Sequence, residues 1–443
     1  MKDPTLAPLF QGLIAEEHPA LKVHGLLGMA QIDPDGMVDL TRIVSLDNRV
    51  TQSQALSAAL DSKLLSSDQA QQLLDSPGID EGVKVVLAIR LIGEPEFKHV
   101  DLLEQASQSE ILARNSLAAL ALLQLGHEDA LGKLQALNQS TDPQRDNIRL
   151  MLLRTALKCE YDRAGPWAAE ISVEPAIVPR LNLLAIHVAL RFGATGAEQI
   201  WQREFDATID SAQRARLALL ALHLSSYVKS EIFEVLLRTE DPLLKQVGLA
   251  GKAVRSGDRP VEAVVQLIQM QNPPVNQWAL AYARNADPDQ SVRILLALIL
   301  SVEQELKGNA GTLLNNVAQA TQTLFDLEPE RATQLLRPKL TDPAADPHLI
   351  QAILSGLIQA KEADPWRVVD GLLPLAHPNA NNLAVLLLAR HGQSLDQQQL
   401  EDLRVVVRGG GGLPNGMRVQ AAWIYLKITN QTDKAVAEIF GRS

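Results

Sequence analysis

Apolar residues recur at three- and four-residue spacing along this chain, as in Leu217, Leu219, Leu220, Leu222 and Leu224. No stretch alternates apolar and polar positions long enough to make a strand, so the pattern predicts helices throughout. Helix starts are written in the sequence as Asp-Pro, which occurs at residues 3, 33, 142, 241, 287, 342, 346 and 364. An Asp N-cap accepts the free N–H groups of the first turn, and Pro at the first helical position has no N–H to leave unpaired. So many starts imply many short helices.

The helices repeat. Leu181 to His187 (LNLLAIH) is matched thirty-six residues later by Leu217 to His223 (LALLALH), and Leu117 to Leu123 (LAALALL) is a looser copy. Second helices of successive pairs are expected near residues 20, 51, 81, 111, 144, 177, 211, 242, 275, 309, 346, 379 and 415, at gaps of 30 to 37 residues. Turn phrases such as Gln124 to Ala130 (QLGHEDA) and Arg255 to Val261 (RSGDRPV) place Gly where a helix ends in αL and an acid where the next begins. A period of this length predicts an all-α fold, a right-handed α-solenoid of about thirteen antiparallel helix pairs. Irregular spacing around 301–315 divides it into an N-terminal arm, 1–305, and a C-terminal arm, 306–443, of one continuous stack.

Acidic residues in the turn within a pair are followed four residues later by a base: Asp80/Lys84, Glu110/Arg114, Asp210/Arg214 and Asp241/Lys245. This arrangement resembles the second helix of HEAT repeats, most clearly over 110–138 and least over 36–75 and 305–340. Tetratricopeptide repeats have a similar period but need large aromatics at fixed positions, and this chain is only 4% aromatic. The HEAT resemblance implies a stack whose second helices line an inner groove. Arg114, Arg149, Arg214 and Lys245 are then candidate partner-binding residues along that groove, or members of a structural ladder with neighbouring acids.

Composition narrows the function. At 443 residues the chain exceeds the size of one compact core. Its net charge of −11 opposes a large nucleic-acid footprint, so nucleic acid is not the expected partner. The single cysteine, Cys159, excludes an intrachain disulfide and a cysteine-based zinc site. No apolar run reaches bilayer length, and the N-terminal residues do not read as a signal peptide, which together suggest a cytoplasmic protein.

Catalytic signatures are missing: Gly251-Lys252 lacks the rest of a P-loop, and G-x-S-x-G, H-E-x-x-H and G-x-G-x-x-G do not occur. His127-Glu128 is one pair of the kind that the HEAT-like deoxyhypusine hydroxylases use in several copies, and one pair cannot hold two metals. His187 and His223 fall at matching places in successive repeats but lack a third ligand, so no metal, cofactor or catalytic residue is expected. The expected function is an interaction scaffold or adaptor for a protein partner. A HEAT-like enzyme, resembling the bilin lyases or the DNA glycosylases, and a self-assembling coat component are the alternatives.

Overall fold

The computed structural model describes residues 7–16, 18–32, 46, 49–62, 64–94, 97–175, 177–301, 310–342, 347–359, 385, 395–408 and 415–429. Among these residues the structure is all-α, with no strand. The chain forms two compact units, Met1–Ile209 and Asp210–Ser443. Residues 302–309, where the sequence suggests a change of arm, lie outside the described residues.

The first unit contains α1 (Ala7–Ala15), α2 (Pro19–Ile32), α3 (Arg49–Asp61), α4 (Ser67–Leu74), α5 (Glu81–Leu91) and α6 (Val100–Ala106). It continues with α7 (Leu112–Gln124), α8 (Ala130–Gln139), α9 (Arg145–Lys158), α10 (Ala164–Ser172), α11 (Pro179–Arg191) and α12 (Ala197–Ala207). The second unit contains α13 (Ser211–His223), α14 (Ser230–Leu237), α15 (Pro242–Ser256), α16 (Pro260–Ile268), α17 (Pro273–Ala283) and α18 (Pro288–Leu300). It ends in α19 (Ala310–Leu327), α20 (Pro329–Thr341), α21 (Pro347–Gln359), α22 (Gln397–Val407) and α23 (Asn415–Thr429). The second helices start within two residues of the expected positions, and the start expected near 379 lies outside the described residues.

Helices pack neighbour to neighbour. In the first unit the second helices α2, α3, α5, α7, α9 and α11 each touch the next and form one layer, while α8, α10 and α12 continue a layer of first helices. Leu120, Leu134, Leu152 and Ile171 fill the space between layers, each at most 1% exposed. Trp167 and Trp201 are fully enclosed; Trp201 stacks on Phe205 at 5.0 Å, and Trp167 Nε1 donates to the Leu134 carbonyl at 3.3 Å. In the second unit Trp278 is likewise buried and stacks on Tyr282.

Three of the four acids of these acid/base pairs act locally, whereas the helix after Glu110 has Ile111 at its N-cap and no side-chain cap. Asp80 accepts from the N–H groups of Gly82 and Val83, Asp210 from Ala212 and Gln213, and Asp241 from Leu243 and Leu244. They are N-caps, which explains why they recur at the start of second helices: a short helix has few turns over which to spread the cost of its unpaired N–H groups. The thirty-six-residue match has a different origin. Leu181 is the third residue of α11 but Leu217 is the seventh of α13, a shift of about one helical turn that keeps the same face inward.

One contact passes over a neighbour. Tyr161, in the turn after α9, donates its hydroxyl to the Ile89 carbonyl of α5 at 2.6 Å and is itself buried. The pair α6/α7 lies between these two in sequence.

Candidate partner-binding face

Charge in the first unit is divided between layers. Its second helices carry eleven Lys and Arg, four of them in α9, against three acids, Asp61, Glu81 and Asp146. The described first helices carry two bases, Lys133 and Arg203, against seven acids. The second helices of the first unit are thus richer in bases than its first helices, in a chain of net charge −11. The described second helices of the second unit show the same bias, seven bases against Asp326.

The four candidate residues sit in different surroundings. Arg149 is fully buried, with its Nε and one Nη donating to Asn138 and its guanidinium meeting Asp146 at 3.3 Å and Glu174 at 2.5 Å. It closes an internal ion-pair network and is not exposed to solvent. Arg114 on α7 is half-buried and lies 3.5 Å from the exposed Glu81. Arg214 is half-buried and Lys245 exposed, both in the second unit. The structure thus brings Arg114 to an accessible face of the first unit and takes Arg149 away from it.

At Arg114 the N-terminal ends of α3, α5 and α7 enclose a groove of about 360 Å³. Its apolar wall includes Val50, Val86, Ile111 and Leu117, and Arg49 and Arg114 supply charge. Val50 is 59% exposed and Ile111 54%. Gly82 lies beneath the groove, where a Cβ would stand 3.0 Å from the Asp80 carboxylate and in ordinary contact with the Arg114 guanidinium at 3.4 Å. The pairing of an exposed apolar residue with a nearby arginine recurs where α11 begins, at Val178 and Arg180.

Such a groove suits a ligand with apolar side chains and carboxylates. Apolar groups cover the exposed half of Val50 and Ile111, each worth about 1 kcal/mol, and the two guanidiniums donate to carboxylates in a partly desolvated setting. The six described second helices of this unit contain no Phe, Tyr or Trp. Sequence reasoning missed Arg49, Val50 and Ile111 because each reads alone as an ordinary helix residue.

The motifs considered for chemistry are engaged in the framework. Glu128 pairs with Arg163, and His127 Nδ1 lies 3.8 Å from Glu104. His187 is half-buried on α11, whereas His223 is the exposed last residue of α13. Burial raises the Cys159 thiol pKa, which Arg90 and then Lys158 partly offset. Among the described residues no group of three or more His, Cys, Asp or Glu could hold a metal ion, and no helix is long and apolar enough to cross a membrane. The Gly409–Gly412 run lies outside the described residues, as do Trp366 and the side chain of Trp423.

These features define, among the described residues, an all-α protein whose helices pack neighbour to neighbour. Compared with known proteins, the sequence matches no family model and no curated protein.

Proposed function

We propose that the chain is a non-enzymatic scaffold of HEAT-like character, a right-handed solenoid of about thirteen helix pairs, whose second-helix face holds an acidic protein partner. The observation that carries this reading is the charge division in the first unit, eleven bases to three acids on one layer and two to seven on the other. The groove at Arg49, Ile111 and Arg114 is its docking point, and the spacing of second-helix starts and their acidic N-caps support the HEAT-like character. A partner segment places apolar side chains on Val50 and Ile111 and carboxylates on the two arginines. Its association falls with ionic strength, because exposed charges are screened within about 10 Å at 0.1 M salt.

A photocrosslinking residue at position 111, compared with one at Arg203 on the first-helix layer, tests the proposal in cells. Capture of acidic proteins from position 111, lost on Arg49→Glu with Arg114→Glu, is the expected result. Equal capture from both positions would refute the assignment of the face, and selective capture of nucleic acid would refute the partner class.

A further inference from the structure

We propose that α17 and α19 meet through one internal water molecule, which donates to the side-chain oxygens of Asn276 and Asn316. The two helices pack side by side in the second unit. Asn276, the fourth residue of α17, is 1% exposed, and Asn316, the seventh of α19, is 2% exposed. Both Oδ1 atoms are buried, and neither accepts a hydrogen bond from the protein.

The backbone brings the two amides together. Asn316 Nδ2 donates to the Pro273 carbonyl at 3.4 Å. Pro273 and Asn276 stand three residues apart on α17 and so share a face. A helical carbonyl points along the axis toward the N–H four residues on, which puts the bonded Asn316 amide at the level of Asn276. Acceptor oxygens cannot bond one another, and neither of these meets an N–H or O–H of the protein, so their donor has to come from outside it.

The chemistry of the site selects water. Its acceptors are two neutral amide oxygens with the Pro273 carbonyl beside them. A calcium ion takes six to eight oxygens, usually with carboxylates among them, whereas a water molecule has two hydrogens to donate and is held by two to four polar partners. One turn on from each asparagine, on the same face, stand Ala279 and Ala320, both 0% exposed, whose methyl groups take up little of the seam. Direct bonds across this interface are long, since Arg284 reaches Thr323 Oγ1 at 3.4 Å, as Asn316 reaches Pro273. A bridging water bonds nearly as well as a direct contact. It lets α19 shift against α17 without stranding a buried amide.

Two measurements on the full chain test the proposal. High-resolution diffraction is expected to show one water within about 2.7–3.0 Å of both oxygens. Amides bonded directly to each other or to the backbone, or a dry gap between them, overturn the site. Thermal melting of Asn276→Leu, Asn316→Leu and the double variant then tests whether the water is shared. Each single replacement removes one acceptor and strands the other, so each should lower the midpoint by about 2–4 °C. In the double variant both acceptors are gone, and two leucines fill the space of the amides and of a water of about 30 Å³. Apolar groups in place of both partners are nearly neutral, so the double variant should melt no lower than either single one. A double variant that falls by the sum of the two losses overturns the shared water, because independent sites add. A rise in either single variant overturns it as well, since removing an acceptor brings relief only where that acceptor was dry.

Discussion

Replacing Arg149 by alanine tests whether this arginine is structural. The substitution removes a guanidinium that is 0% exposed and leaves Asp146 and Glu174 facing an empty site beside Asn138. Breaking a buried pair from one side costs about 3–5 kcal/mol. The carboxylates retain 34% and 26% exposure, so water reaches them and the low end, about 3 kcal/mol, applies. The damage is local, because the partners of Arg149 lie on α8, on α9 and just beyond α10. Hydrogen exchange reads local opening directly, and about 1.4 kcal/mol is a factor of ten, so amides of α8 to α10 should exchange about a hundredfold faster. Arg114→Ala is the contrast: its pair is 3.5 Å long with a mostly exposed partner, and its loss should cost about 0.5 kcal/mol or less. Acceleration of under tenfold in Arg149→Ala, or comparable effects in the two variants, would refute the division into an internal and a presented arginine.

Gly356→Ala places a Cβ 2.3 Å from the Ala318 carbonyl oxygen, forcing α19 and α21 apart. An overpacking cost of about 2–3 kcal/mol should appear as a lower melting transition by circular dichroism, and an unchanged transition would show that these helices yield freely. Burial, and secondarily Cys159, raises the Tyr161 pKa above its usual value near 10. The neutral hydroxyl is favoured in the fold, so its stabilisation is fully present below the unfolded tyrosine pKa and is lost as pH rises toward the folded one. The 295 nm absorbance difference between wild type and Tyr161→Phe should show this tyrosine ionising only with alkaline unfolding, and a difference that appears near pH 10 in the folded chain would contradict its burial. The raised thiol pKa of Cys159 predicts slow labelling by a disulfide reagent at pH 7, becoming fast in denaturant.

The architecture is legible because its signals are local. Asp80, Asp210 and Asp241 cap helices a few residues away, and Pro242, Pro273 and Pro288 stand at first helical positions, so these starts follow from short stretches of sequence. The match of Leu181–His187 to Leu217–His223 reads as repeat register, but any leucine-rich helix shifted by one turn keeps its inward face, so similarity of this kind fixes a face and not a start. The surroundings of Arg149 are not legible, since Glu174 and Asn138 lie 25 and 11 residues from it and meet it only through packing. Val50 and Ile111 are hidden for the converse reason: at core-like spacing an apolar residue is assigned inward, and only packing shows that the ends of α3, α5 and α7 leave these two in the open.

The Tyr161 hydroxyl gives the first unit a mechanical property. A stack whose members touch only their neighbours peels from an end one pair at a time under load. The bond from Tyr161 to Ile89 instead rivets the end of α9 to α5 across the intervening α6/α7 pair. Pulled from its N-terminus, this stretch should yield as one block of three pairs, with a single force step that Tyr161→Phe breaks into smaller ones.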